Sequence, residues 1–218
     1  MKRGPFARDA YGFDYWAQFL ATRGYAVLQM NYRGSTGYGA DYEALGENEW
    51  GGKMLDDIND GAHWMIAEGY ADPKRICIVG GSYGGYAALQ TLIKEPGLYK
   101  CSVALAPVTS MATLFQNARK FLGLKERYLP YIRNEEGSLA DISPYNHIDD
   151  INVPVLLVHG TEDRSVEYKQ GKMFAKRMKK KKKNIRFITL EDGDHHLSRE
   201  KHRIKFLQEM EKFLKKNL

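Results

Sequence analysis

The chain has 218 residues, of which 43% are hydrophobic and 12% aromatic, so it can bury one core and is not an intrinsically disordered chain. The 33 basic and 27 acidic residues give a net charge of +6, and five lysines are consecutive at 179–183. No aromatic side chains alternate with these lysines, so the run indicates a solvated helix end rather than a nucleic-acid surface. We expect no nucleic acid among the partners.

The sequence carries no signal for a membrane or for secretion. No apolar run approaches the ~20 residues needed to span a bilayer, and the basic residues 2–3 are not followed by the apolar part of a signal peptide. We therefore expect a cytoplasmic protein with no membrane partner. Cys77 and Cys101 lie in apolar runs, and two buried free thiols are the expected state, although the spacing does not exclude a disulfide.

Helical and strand-like patterns alternate along the chain. Helical spacing of apolar residues predicts helices over 11–23, 50–69, 87–93, 168–182 and 198–214, and short apolar runs predict strands over 25–30, 75–79, 100–106, 153–158 and 185–190. This alternation is typical of a mostly parallel sheet with helices on both faces. We interpret residues 1–218 as a single α/β domain, in which residues 109–150 form a cap-like segment.

A glycine-rich turn connects the strand at 75–79 to the helix at 87–93. The sequence at 80–86 is Gly-Gly-Ser-Tyr-Gly-Gly-Tyr, which places Ser82 at the centre of a G-x-S-x-G nucleophile elbow. Such a turn is too tight for side chains two residues either side of the serine, and it holds the hydroxyl clear of the sheet. A phosphate-binding loop is disfavoured because no Gly-Lys-Ser/Thr follows the glycines. Ser82 is therefore the predicted nucleophile.

A nucleophilic serine needs a base, and the base needs an acid that orients it. The loop after the fourth predicted strand contains Glu162 and Asp163, and the loop after the fifth contains His195 and His196. The carboxyl ends of parallel strands meet at one edge of a sheet, so we expect both loops to lie on the same side as Ser82. The order Ser, then acid, then His is that of the α/β-hydrolase fold.

Several motifs in order resemble the prolyl oligopeptidase family of serine peptidases, in particular its acylaminoacyl-peptidase and dipeptidyl-peptidase branch. The elbow at 80–86 resembles the family's G-G-S-Y-G-G-Y, and residues 159–166 (HGTEDRSV) resemble its H-G-x-x-D-x-x-V loop. Residues 31–35 and 50–57 are similar to the family as well. The resemblance spans residues 4–218 and implies the α/β-hydrolase fold.

The resemblance also implies a role for each residue of the triad. Ser82 is the nucleophile, Asp163 the acid and His195 the base, while His196 stands where the family usually has glycine. We interpret His159 as a packing histidine rather than a second base. No metal or cofactor is expected, because a third, spaced histidine ligand is missing beside the His pair.

The oxyanion hole and the substrate pocket follow from the same resemblance. The backbone N–H of Tyr83 is one expected oxyanion donor, and the second corresponds to Gly4, where the family has an H-G-G-P or Y-x-G-P loop. Four apolar residues stand where the family builds its S1 pocket, which predicts a hydrophobic P1 residue or acyl group, unless they are core residues under the cap. They are Val108, Met111, Leu114 and Phe115.

In the family, a propeller and the first part of the catalytic domain precede the residues matched here, so the resemblance implies an N-terminally truncated domain. In the α/β-hydrolase topology, the strand ahead of Gly4 lies between the strand at 25–30 and the elbow strand. Three outcomes are open: the two strands pair directly, another chain such as a second copy in a homo-oligomer fills the gap, or the fold is loosened.

The sequence thus predicts a serine peptidase that hydrolyses short peptides or acyl peptides through an acyl-enzyme intermediate. One alternative is a carboxylesterase, since the same triad hydrolyses small esters more easily. A second alternative is an inactive truncated domain that acts as a binding or assembly module.

Overall fold

A four-stranded parallel sheet forms the centre of the computed structural model, which describes residues 5–118, Ile132 and 138–218. Its strands follow one another in chain order: β1 (Cys77–Gly81), β2 (Cys101–Leu105), β3 (Val155–Gly160) and β4 (Ile185–Leu190). The α-helices among these residues are α1 (Tyr15–Ala21), α2 (Ala40–Ala44), α3 (Lys53–Ala67), α4 (Tyr83–Lys94), α5 (Met111–Ala118), α6 (Tyr168–Lys180) and α7 (Glu200–Asn217). Two short 3₁₀ helices span Pro144–Asn146 and Ile148–Asp150.

Helices cover both faces of the sheet, because successive strand residues point into two different apolar cores. Val103 and Leu156 belong to the core beneath α1 and α7, whereas Ala104 and Leu157 belong to the core beneath α3, α4 and α6. Every residue of β2 and β3 is buried, as in parallel strands that are covered on both sides. The predicted α/β-hydrolase fold class is confirmed.

The element boundaries follow local signals. The strand predicted over 185–190 has those bounds in β4. The helix predicted over 11–23 begins later, at Tyr15, because the Asp14 carboxylate caps it by accepting the N–H groups of Trp16 and Ala17 at 2.8 and 2.9 Å. The short helix α2 carries too few apolar residues to be predicted from helical spacing.

The strand predicted over 25–30 is wrong. Residues 26–30 make no backbone hydrogen bond within the described part of the chain. A cavity of about 640 Å³ separates this segment from β1, and it is lined by residues 25–28 on one side and 76–79 on the other. An extended segment without a neighbouring strand has no ladder to join, so direct pairing, the first of the three expected outcomes, does not occur.

The expectation of two free thiols is also wrong, because Cys77 and Cys101 form a disulfide. The two residues are direct partners in the register of β1 and β2, and their Cα atoms are 4.7 Å apart, within bridging distance. The register between two strands cannot be read from the spacing of their cysteines. Cys101 is fully buried, whereas Cys77 is half-buried because β1 borders the cavity.

The lysine run lies at the end of α6, where positive charge is favourable near the helix C-terminus. Lys181 pairs with Asp149 at 2.9 Å, and Lys183 donates to the Asp149 carbonyl and to Asn152. These lysines thus attach α6 to the turn before β3. In the described residues, no helix combines the length and the apolar character that crossing a membrane requires.

We predict that Gly85→Ala destabilises the fold by about 1–3 kcal/mol, because α4 lies against the end of β2 without room for a side chain. A Cβ at Gly85 would lie 2.9 Å from the Leu105 carbonyl oxygen and 3.1 Å from Pro107 Cα. Denaturant titration of both proteins measures the change in the free energy of unfolding. Gly12→Ala is the control, since no atom lies within 4 Å of its Cβ position. Equal denaturation midpoints for Gly85→Ala and Gly12→Ala would contradict the close packing of α4 against the end of β2.

Candidate active site

Ser82 is the apex of a sharp turn between β1 and α4. Its backbone has φ +58° and ψ −118°, a conformation that non-glycine residues rarely adopt and that costs of order 1–3 kcal/mol. The turn is held by a hydrogen bond of 2.9 Å from the Ser82 N–H to the Leu105 carbonyl. A Cβ at Gly80 would lie 2.1 Å from the Gly84 carbonyl oxygen, so glycine is required there.

The start of α4 supplies a backbone donor next to Ser82. Among the described residues, the N–H of Tyr83 donates to no acceptor, as is normal for the first residue of a helix. The Tyr83 ring is buried against Tyr32 and Trp50, which fixes the position of this peptide group. The helix dipole adds a partial positive charge at the same point. Gly4, the second expected donor, lies outside the described residues.

Asp163 and His195 form a short, largely buried hydrogen bond. His195 Nδ1 donates to Asp163 Oδ2 at 2.7 Å, and the side chains are 11% and 0% exposed, respectively. The other carboxylate oxygen accepts the N–H groups of Ser165 and Val166 at 2.9 and 2.8 Å. Since a carboxylate only accepts, the proton resides on Nδ1, and Nε2 keeps the lone pair that a base needs.

The structure distinguishes Asp163 from Glu162, and His195 from His196, by their exposure to solvent. Glu162 is exposed, and so is His196, whose ring packs edge-on against His195 at 5.3 Å. The His196 N–H donates to Asp194, so this residue belongs to the turn at the rim. Within the described residues, no three His, Cys, Asp or Glu side chains are grouped so that they could hold a metal.

The loops that carry Asp163 and His195 are in direct backbone contact. A Cβ at Gly160 would lie 2.2 Å from the Gly193 carbonyl oxygen, and that oxygen accepts the Glu162 N–H at 2.9 Å. Only a residue without a side chain permits this approach. The contact thereby sets the separation of Asp163 and His195, which follow the two glycines by three and two residues.

His159 packs beneath the loop that carries Asp163 and is fully buried. Its Nε2 donates to the Val166 carbonyl at 2.9 Å and lies 3.4 Å from Asp163 Oδ2. Burial alone raises the pKa of Asp163, but hydrogen bonds from His159, His195 and the Val166 N–H outweigh it and lower the pKa well below its usual range. Asp163 is therefore ionised at neutral pH and can stabilise a protonated His195.

Ser82 and the Asp163–His195 pair all follow carboxyl ends of parallel strands, β1, β3 and β4, and so lie at one edge of the sheet. In the described residues, no hydrogen bond joins Ser82 Oγ to His195. Such a bond is often long in the absence of substrate and tightens during the reaction.

The four predicted pocket residues do not share one environment. Val108 and Met111 are 3% and 0% exposed and belong to an aromatic core with Tyr83, so they offer little surface to a substrate. Leu114 and Phe115, on α5, are half-buried against the same core. These two side chains are the ones that retain accessible apolar surface.

Sequence reasoning missed Gln170, a buried residue of α6. Its side-chain oxygen accepts the N–H groups of Thr109 and Ser110, and its amide nitrogen donates to the Ser110 carbonyl, all at 2.8 to 3.0 Å. Gln170 thus fixes the loop that leads from β2 into α5. A single glutamine in an amphipathic helix gives no sequence signal for this role, and only its 1% exposure identifies it.

We predict that Asp163→Asn lowers the free energy of unfolding by about 1–3 kcal/mol at pH 7 and by less in acid. The pKa of Asp163 in the folded protein is below its usual value of about 3.9, so the ionised carboxylate stabilises the fold above that pH. This contribution is lost as the pH falls from about 4 toward the lowered pKa. Urea titrations of both proteins at several pH values measure it. If the two proteins differ in free energy of unfolding by the same amount down to pH 3, the lowered pKa of Asp163 is contradicted.

The model of the prolyl oligopeptidase family matches residues 11–218. Dipeptidyl aminopeptidase BIII of Pseudoxanthomonas mexicana is 34% identical over 217 residues, which cover 97% of this chain and 32% of that protein.

Two similar structures extend the comparison. A puromycin-hydrolyzing peptidase of Mycobacterium tuberculosis has a TM-score of 0.91 and 28% identity over 99% of this chain and 33% of its own. An acylaminoacyl peptidase in complex with Z-Gly-Gly-Phe-chloromethyl ketone has a TM-score of 0.88 and 27% identity over 99% of this chain and 36% of its own. The chain spans about a third of the length of these proteins. By the family match over nearly its whole length, it belongs to the prolyl oligopeptidase family.

Proposed function

We propose that this chain is the catalytic domain of a serine peptidase that cleaves short peptides or acyl peptides. The observation that carries the proposal is the hydrogen bond of 2.7 Å between His195 and Asp163, at the sheet edge that also presents Ser82 on its strained turn. The similar proteins are named as a dipeptidyl aminopeptidase and as peptidases, which supports peptide substrates over other acyl compounds.

In the proposed first step, Ser82 Oγ attacks the carbonyl carbon and transfers its proton to His195 Nε2. Asp163 stabilises the imidazolium, and the Tyr83 N–H donates to the oxyanion of the tetrahedral intermediate. The intermediate collapses as the C–N bond breaks and His195 gives its proton to the leaving amine. Water, deprotonated by His195, then hydrolyses the acyl-enzyme and regenerates Ser82.

We propose further that the site prefers an apolar P1 residue. Leu114 and Phe115 supply half-buried apolar surface on α5, and Gln170 holds the loop that precedes this helix. One similar acylaminoacyl peptidase is in complex with a compound that ends in a phenylalanyl chloromethyl ketone, which agrees with an apolar P1 group. Simple esters require the same steps with a better leaving group, so esterase activity accompanies this proposal.

We predict that Ser82→Ala lowers kcat/KM for a phenylalanyl p-nitroanilide at least 10³-fold, because the acyl-enzyme cannot form. Release of p-nitroaniline measures the rate. Ser138→Ala, at an exposed serine outside the loops of Ser82, Asp163 and His195, is the control and should leave the rate unchanged.

Substitution of His195 and of its neighbour His196 tests which of the two histidines is the base. His195→Ala should lose as much activity as Ser82→Ala, whereas His196→Ala should stay within about threefold of the parent protein, since its ring lies at the rim. Equal losses from both substitutions, or retained activity in Ser82→Ala, would refute the proposed triad.

A further prediction concerns the preference of the site for the P1 residue of the substrate. Phe115→Ala should reduce kcat/KM for a phenylalanyl substrate about tenfold relative to an alanyl substrate, because apolar contact with the larger side chain is lost. Thr113→Ala on the same helix is the control. An unchanged ratio of the two kcat/KM values would show that α5 does not line the P1 site.

A further inference from the structure

The side chain of Gln170 connects the first turns of two helices. Gln170 lies in the first turn of α6, which follows the loop of Asp163, and its backbone N–H donates to the Glu167 carbonyl at 2.8 Å. Its side-chain amide reaches Ser110, the residue before α5. The side-chain oxygen accepts the Ser110 N–H at 2.8 Å, and the nitrogen donates to the Ser110 carbonyl at 3.0 Å. The amide thus holds both backbone groups of one residue.

Ser110 is also the residue at which α5 begins. Its hydroxyl accepts the Thr113 N–H at 3.3 Å, as the side chain of a helix N-cap does, and its carbonyl accepts the Leu114 N–H at 3.1 Å. The direction in which α5 leaves the sheet is therefore set at Ser110. Because Gln170 holds the N–H and the carbonyl of this residue, it fixes the start of the helix that carries Phe115.

The opposite end of this connecting segment is bonded to the nucleophile. The Leu105 carbonyl accepts the Ser82 N–H at 2.9 Å, and residues 106–110 lead from Leu105 to α5. Within this segment, the Thr109 N–H donates to the Gln170 side-chain oxygen at 3.0 Å. The segment is therefore held by the turn of Ser82 at one end and by Gln170 at the other. Loss of the second attachment would let α5 move relative to Ser82.

The bonding pattern at this point requires an amide. Two N–H groups and one carbonyl face the end of the Gln170 side chain, so it must both accept and donate. A carboxylate only accepts, and an ammonium or guanidinium group only donates, whereas a carboxamide does both. Gln170, Thr109 and Ser110 are all buried, where a polar group without a partner is costly.

The carboxylate of Asp163 does not depend on Gln170. Its hydrogen bonds come from the His195 ring and from the N–H groups of Ser165 and Val166. A change at Gln170 should therefore affect α5 and leave the pairing of Asp163 with His195 in place.

We propose that Gln170 is a positioning residue for substrate selection: through α5 it sets the location of Leu114 and Phe115 relative to Ser82, and with it the preference for an apolar P1 side chain. Gln170 itself touches no substrate. This inference rests on the proposed function, since it concerns the P1 site of the same peptidase.

Gln170→Met tests the proposal, because it keeps the length of the side chain and removes its hydrogen bonds. We expect the ratio of kcat/KM for a phenylalanyl p-nitroanilide to that for an alanyl p-nitroanilide to fall about tenfold, since the larger P1 side chain loses contact with α5. The rate of reaction with a fluorophosphonate, which carries no P1 side chain, should stay within about threefold of the parent rate. Equal losses for both anilides, or an unchanged ratio, would overturn the proposal.

Tyr99→Phe is the matched control for a lost buried hydrogen bond. It removes the bond of 3.0 Å from the Tyr99 hydroxyl to Asn59, and Tyr99 belongs to a core that contains neither Ser82 nor α5. This variant should have a lower denaturation midpoint and the parent ratio of the two kcat/KM values. A tenfold lower ratio in Tyr99→Phe would show that the ratio follows stability alone, which would overturn the proposal.

A double variant tests whether Gln170 acts through α5. Phe115→Ala already removes the apolar contact with the P1 side chain, so the addition of Gln170→Met should not lower the ratio further. If the two losses multiply, Gln170 affects selection by a route other than α5, and the proposal fails.

Failure of the proposed function gives a different result. A parent protein that cleaves neither anilide would contradict the peptidase, and hydrogen exchange read by NMR then decides the role of Gln170. Gln170→Met should speed exchange of the Leu114 and Phe115 amides at least tenfold, because the start of α5 is no longer held. Unchanged exchange of these amides would overturn the positioning role.

Discussion

The site depends on close backbone contacts that only glycine allows. Gly80 contacts Gly84 around Ser82, and Gly160 contacts Gly193 between the loops that carry Asp163 and His195. These contacts hold Ser82 in its unfavourable conformation, because the turn cannot relax without moving β1 or α4. Ser82, Asp163 and His195 are thus positioned by the main chain at this edge of the sheet rather than by flexible side chains.

Burial is uneven across the sheet on which this edge is built. β2 and β3 are fully covered, whereas β1 borders a cavity of about 640 Å³ on its outer side. The strand that precedes Ser82 is held by its ladder with β2, by the Cys77–Cys101 disulfide and by the packing of α4.

Local signals in the sequence predicted most of the fold and the candidate site. The elbow and the two loops after later strands are recognisable because glycines, strand ends and polar residues lie close together in the chain. Relations between distant residues were not predictable. The segment at 25–30 forms no ladder because a cavity separates it from β1, the Cys77–Cys101 pairing depends on strand register, and Gln170 reaches a loop about 60 residues away. Spacing within one segment carries no information about such contacts.

The central claim is that Ser82, Asp163 and His195 act as one unit. Reaction with a fluorophosphonate, followed by peptide mapping in a mass spectrometer, tests it most directly, because this probe traps a serine only when its hydroxyl is activated. The account predicts a single adduct on Ser82, with a rate of formation that falls sharply in Asp163→Asn and in His195→Ala. A folded protein that forms no adduct, or forms it on another serine, would contradict the account.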